Sequence, residues 1–123
     1  MATSTIMLDQ NKDPSIDHAM AALRSRFLDT LDHRILEIEN AALACRAKHT
    51  ASSYQRLAHH IHKTAGVAAS FGFTEVGARA QSIDVMIDQL LSDPSQRACA
   101  SRVLTDVEML LEQMETLLDH SPV

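Results

Sequence analysis

The sequence predicts an all-α fold, an antiparallel four-helix bundle with an additional N-terminal helix or helical extension. Apolar residues recur at spacings of three and four along nearly the whole chain, and no segment alternates with the period of two that a strand needs. The composition agrees. Of 123 residues, 46% are apolar but only 3% aromatic, with three Gly and three Pro. A core of Leu, Ile, Val, Ala and Met with few helix breakers is one of helices packed on helices. The length suits one domain whose core needs no cross-links.

Residues 1–14 are polar, end in NKDP and are expected to be a disordered tail; nothing requires Ile6, Met7 or Leu8 to dock. The helical domain is expected over residues 15–120. From Ser15 a helical period runs through Ile16, Met20, Leu23, Phe27 and Leu28. A second run follows almost at once: Leu28, Leu31, Ile35, Ile38, Ala42 and Cys45, a bundle-facing stripe. With no Gly or Pro between them, one bent helix and two helices meeting near Thr30–Asp32 both remain open. The polar KHTASS segment then interrupts, with Thr50 a candidate N-cap. The next helix carries Tyr54, Leu57, Ala58, Ile61, Ala65 and Ala68 on one face and should end near SFGF. Thr74 is a candidate cap for a helix bearing Val76, Ala80, Ile83, Ile87 and Leu90. Pro94 behind an Asp93 cap opens the last helix, with Ala100, Val103, Val107, Leu110, Met114 and Leu117. Short connections make successive helices antiparallel neighbours.

A formal charge of −5 with no basic run argues against nucleic-acid binding, which needs a basic face to displace counterions. No apolar run is long enough to span a bilayer, and the N-terminus lacks the features of a signal peptide. A cytoplasmic location is therefore expected, with no membrane partner. Cys45 and Cys99 fall within helical patterns and read as small apolar residues in the reduced state.

The segment RLAHHIHKTAGVAASFGF, residues 56–73, holds the chemistry. At about 100° per residue, with Ile61 centred on the core, Tyr54, Leu57, Ala58, Ala65 and Ala68 fall within roughly 60° of it. His62 lies about 100° away, at the edge of solvent, and Gln55, His59, Gly66 and Ala69 share its flank. His60 lies on the opposite flank, so only His59 and His62 share a face. Gly66, one turn beyond His62, either lets another helix pack closely or keeps an approach to His62 clear. The segment has no acidic residue to orient a general base, and bundle metal sites need further ligands, so no metal is expected. A neutral imidazole can also be a nucleophile that accepts and passes on a phosphoryl group. That role needs exposure, room and positive charge, which Lys63 could supply.

His62, Ala65, Gly66, Ala68, Phe71 and Gly72 match the pattern H-x-x-K/A-G-x-A-x-x-F/L-G. In this the chain resembles the histidine-containing phosphotransfer (HPt) family, including HPt segments of chemotaxis-type kinases and several bacterial phosphorelay proteins. The resemblance extends more loosely over residues 20 to 120. Starting from His59 or His60 misplaces both glycines, so it singles out His62 as the phospho-acceptor. It implies a phosphorelay intermediate without ATP-binding machinery and so not a kinase. The chain carries no P-loop or kinase-type glycine-rich loop. The implied partners are response-regulator receiver domains, which supply the Mg2+, and an upstream histidine kinase or hybrid kinase; no cofactor of its own is implied. Many members carry Lys where this chain has Ala65, with Lys63 or His59 as candidates to replace its charge.

The expected docking surface is the helix carrying His62 together with the preceding helix, with Gly66 and Ala69 leaving the approach open. On this reading Gly66→Leu gives a folded, somewhat less stable protein that partners cannot reach. A monomer is expected, because no surplus apolar stripe is evident. Two alternatives stand beside this: a non-catalytic helical interaction module with the same fold, and, third, a metal-binding bundle using His59 and His62.

Overall fold

Among the described residues, the helical periods of the sequence become five helices: α1 (Pro14–Asp29), α2 (Leu31–Ala47), α3 (Ala51–Ser70), α4 (Thr74–Ser92) and α5 (Ala98–Asp119). The computed structural model describes residues 14–93, 95 and 98–119. The tail expected over residues 1–14 lies outside these apart from Pro14, which already belongs to α1, and Pro94 lies outside them too. There is no strand among the described residues. Helices α2 to α5 form the bundle, each packed on its sequence neighbour and α2 closing against α5. No helix among the described residues is long and apolar enough to cross a membrane.

Each bundle helix turns its apolar stripe to one core, in which Leu31, Ile38, Leu57, Ile61, Ile83 and Leu110 are fully buried. Burying a side chain of this kind is worth about 1.5–3 kcal/mol, so these stripes decide the fold. Cys45 lies in the same core, and loss of hydration pushes its thiol up to about 11, against the opposing pull of Arg46. Across the rim, Arg46 of α2 pairs with Glu108 of α5, and Arg79 Nε of α4 donates to Gln113 Oε1 of α5 at 2.8 Å.

The chain between residues 14 and 47 forms two helices. Thr30 separates them, yet Thr30 N–H donates to Arg26 O at 3.1 Å and Arg34 N–H to Thr30 O at 3.0 Å. The Thr30 hydroxyl donates to Phe27 O at 2.9 Å, a side-chain bond of the kind that bends a helix. The segment is thus joined across Thr30 by backbone hydrogen bonds. Its first part differs from the bundle helices, because Ile16 and Met20 remain exposed despite their helical spacing. The bundle ends at Phe27, which is buried and stacks on Phe73 with centroids 4.9 Å apart.

Thr50 caps α3 as expected, its hydroxyl accepting from Ser53 N–H at 3.1 Å. Thr74 does not cap α4. The FGF turn closes α3 with a Schellman motif in which Gly72 takes a positive φ of 85° and Phe73 N–H donates to Ala68 O at 2.9 Å. Phe73 thereby occupies the N-cap position as well, and Thr74 becomes the first residue of α4. At the next turn Asp93 Oδ1 accepts from Ser95 N–H at 3.1 Å, and the described part of α5 begins at Ala98.

The buried face of α3 comprises Tyr54, Leu57, Ile61, Thr64 and Ala68. Thr64 was not expected there, while Ala58 and Ala65 are only half-buried. Its hydroxyl enters the core without an unmet hydrogen bond, because it donates to His60 O at 2.9 Å.

The two mid-helix glycines differ in their surroundings. A Cβ on Gly77 of α4 would lie 3.2 Å from Ala69 N and 3.4 Å from Ala69 Cβ, so this glycine lets α3 and α4 touch. A Cβ on Gly66 would meet nothing within 4 Å. The close-packing role considered for Gly66 belongs to Gly77, and the expected stability loss in Gly66→Leu has no contact behind it. Urea denaturation should show Gly66→Ala more stable than wild type by about 0.5–1 kcal/mol, the helix-interior cost of glycine. Gly77→Leu should be less stable by about 1–3 kcal/mol, the usual range for overpacking.

Candidate functional site

Of the three clustered histidines, each meets a different environment. His62 lies on the flank of α3 that faces α4. Its side chain is 77% exposed, and Nδ1 is 2.8 Å from Asp84 Oδ2 on α4. A carboxylate can only accept, so Nδ1 carries the proton and donates it to Asp84. The neutral ring then holds its lone pair on Nε2. The result is an exposed imidazole whose tautomer is fixed by the carboxylate behind it.

His60 points the other way. Its Nδ1 lies 3.4 Å from Glu37 Oε2 on α2, and Glu37 Oε1 also meets His33 Nε2 at 3.1 Å. Burial pushes the His60 imidazole below its ordinary range; Glu37 opposes that, while His59, Arg56 and Lys63 add to it. His60 is thus a largely covered residue of the α2–α3 seam. His59 is exposed, with its ring edge-on to His60 at 5.5 Å between centroids.

The remaining candidates fall into two groups. Gly66 and Ala69 are exposed on the His62 flank, and Gly66 leaves open space one turn beyond the imidazole. Gln55 is exposed as well. Ala65 is half-buried, and its carbonyl oxygen would lie 3.5 Å from a Cβ at Gly77. Lys63 is exposed but lines a small crevice with Arg34, Glu37, His60 and Thr64, on the side of α2. The structure therefore joins His62 to Asp84 and to the space over Gly66, and it does not bring Lys63 or the His59 ring to that group.

Two corrections follow for the site as read from the sequence. The carboxylate missing from residues 54–73 comes from the neighbouring helix. That helix is the following one, α4, whereas the expected docking surface paired α3 with the preceding helix, α2. Asp84 lies outside the histidine-bearing segment, on the next helix, where no local spacing ties it to His62. A signal was present, since Gly77, Ala80 and Asp84 recur at three and four along one side of α4.

No group of three or more His, Cys, Asp or Glu among the described residues is placed to hold a metal ion. A cavity of about 680 Å3 is lined by Arg46, His49, Tyr54, Leu90 and Leu104, among others, but not by His62. His62 thus lies at an open surface, away from that cavity.

The family model of the Hpt domain matches residues 22–120, from the middle of α1 to the end of α5. No curated protein and no solved structure matches the chain. With most of its length matched and its helices arranged as that resemblance implied, the chain belongs to the Hpt domain family, the histidine-phosphotransfer modules of phosphorelays.

Proposed function

We propose that this chain is a phosphorelay intermediate that takes a phosphoryl group onto His62 from the aspartate of a receiver domain and hands it to another. The observation that carries the reading is the pair formed by an exposed imidazole and a carboxylate on its inner nitrogen. In the acceptance step the Nε2 lone pair attacks phosphorus. The N–P bond forms as the P–O bond of the aspartyl phosphate breaks, and the aspartate leaves as carboxylate. Positive charge develops on the ring, and Asp84 stabilises it through the Nδ1–H it already holds. The return step reverses these changes. No proton has to enter or leave the ring, so no general base is required.

The docking face in this proposal is built from α3 and α4 around His62, with Gly66 and Ala69 leaving room for the receiver loops. Mg2+ belongs to the receiver and the chain brings no cofactor. With Ala65 small and Lys63 turned toward α2, charge for the phosphoryl oxygens comes largely from the partner. The chain is a carrier and not a kinase, working with an upstream histidine kinase or hybrid kinase in the cytoplasm.

Incubation with a phosphorylated receiver or a small phosphoramidate should label the wild-type protein with acid-labile, alkali-stable phosphate. His62→Gln should take no label, while His59→Gln and His60→Gln should keep it; label surviving in His62→Gln rejects the assignment. A wild type that no donor labels would instead be a helical interaction module. Asp84→Asn should be folded and labelled at the same residue, but roughly 10- to 100-fold more slowly, the usual cost of losing an orienting partner. Its His62 ring should lose the fixed Nδ1–H tautomer in 15N NMR, a change that a purely structural Asp84 would not produce.

A further inference from the structure

The cavity of about 680 Å3 lies at the end of the bundle opposite the FGF turn. It is lined from the last turns of α2 and α4 and the first turns of α3 and α5. His62 follows Tyr54 by eight residues on α3, which sets it about 12 Å further along the helix. Small-molecule sites commonly measure about 300–1,000 Å3, with apolar walls and a few polar groups that fix orientation. This cavity has that make-up. Leu90 and Leu91 of α4 and Leu104 of α5 form an aliphatic wall, and Ala100 takes up little of the space.

The polar groups come mostly from the end of α2 and the start of α3. Arg46 is the one charged residue among the described lining residues, and none of these is acidic. Glu108, outside the lining, takes Nη2 of its guanidinium, and the group keeps further N–H donors. His49 Nδ1 and the Tyr54 hydroxyl share a hydrogen bond at 2.8 Å, and Tyr54 is only 4% exposed. Whichever way that bond runs, the neutral pair keeps one more donor, either ring Nε2–H or the phenol O–H. The start of α3 adds the partial positive charge of a helix N-terminus with no acidic residue in its first turn. An apolar space with one cation and no carboxylate on its polar side suits a monoanion with an apolar body. One guanidinium matches one carboxylate through two parallel N–H···O bonds, whereas a dianion would need a second cation.

We infer that this cavity is a binding site for an amphiphilic monocarboxylate, a small molecule with one carboxylate on an apolar body. The apolar body lies among Leu90, Leu91 and Leu104, and the carboxylate meets Arg46 and the His49–Tyr54 pair. His62 lies outside the site, and the inference does not depend on phosphotransfer.

Octanoate is the probe, titrated into the 15N-labelled full chain at about pH 7, where its carboxylate is ionised. Octanol and octylamine are its neutral and cationic counterparts. A ligand of this size should bind with a dissociation constant of about 1 mM or below. Amide shifts should concentrate at residues 46–54, 90–91 and 100–104 and leave those around His62 unmoved. Octanol should bind about 10-fold more weakly, and octylamine not measurably, since a charge-assisted hydrogen bond is at stake. Arg46→Gln should weaken octanoate about 10-fold and leave octanol as it was. Glu108→Gln breaks the same ion pair but keeps the guanidinium, so it should bind octanoate at least as tightly as the wild type. Equal weakening in both variants would trace the effect to the lost ion pair and overturn the placement of the carboxylate. Ala100→Phe should fill the cavity and abolish binding with an unchanged circular dichroism spectrum, and Leu91→Trp provides a second block from α4. A wild type with no saturable shifts up to about 20 mM octanoate overturns the inference. So does octanol binding as tightly as octanoate, or binding that both blocking variants leave intact. Shifts at the same residues that grow with protein concentration alone would give the cavity to a second copy and equally overturn it.

Discussion

The contact of Gly77 with the backbone of α3 fixes more of this molecule than any other single interaction. Where a side chain would hold two helices at an ordinary separation, the missing Cβ lets Ala69 and Ala65 come against α4 directly. That contact also sets a register. Along an antiparallel pair, moving two turns forward on one helix matches moving two turns back on the other. Seven residues back from Ala69 is His62, and seven forward from Gly77 is Asp84. The hydrogen bond behind the proposed nucleophile is the next rung of the same ladder.

This register explains why the clustered histidines His59, His60 and His62 have unlike surroundings. A helix turns each successive side chain by about 100°, so consecutive residues reach different neighbours. His62 reaches α4 and a carboxylate at a face open to solvent, whereas His60 reaches α2 and is largely covered. The chemical difference between them comes from where their neighbours stand.

Much of the bundle was legible because its signals are local or periodic. The stripes of α2, α4 and α5 needed only helical spacing, and the Thr50 cap only its own hydroxyl. Thr74 misled because the Schellman turn, a property of Ala68 through Phe73 together, consumed the cap position first. Ile16 and Met20 misled for another reason. Periodicity reports that a face is apolar, while its burial depends on how far neighbouring helices extend, and the bundle stops at Phe27. Asp84 was hidden because its contact with His62 appears only when two helices are paired. Once the turn is centred on FGF, counting outward along both helices locates it.

The Schellman turn between α3 and α4 therefore has a chemical consequence beyond reversing the chain. One residue more or fewer between Ser70 and Thr74 would rotate α4 by about 100° and slide it by about 1.5 Å relative to α3, if both helices stayed intact. Asp84 would then leave the imidazole, and either ring nitrogen could carry the proton. The length of a three-residue connection thus sets which nitrogen of a side chain many residues away carries the proton.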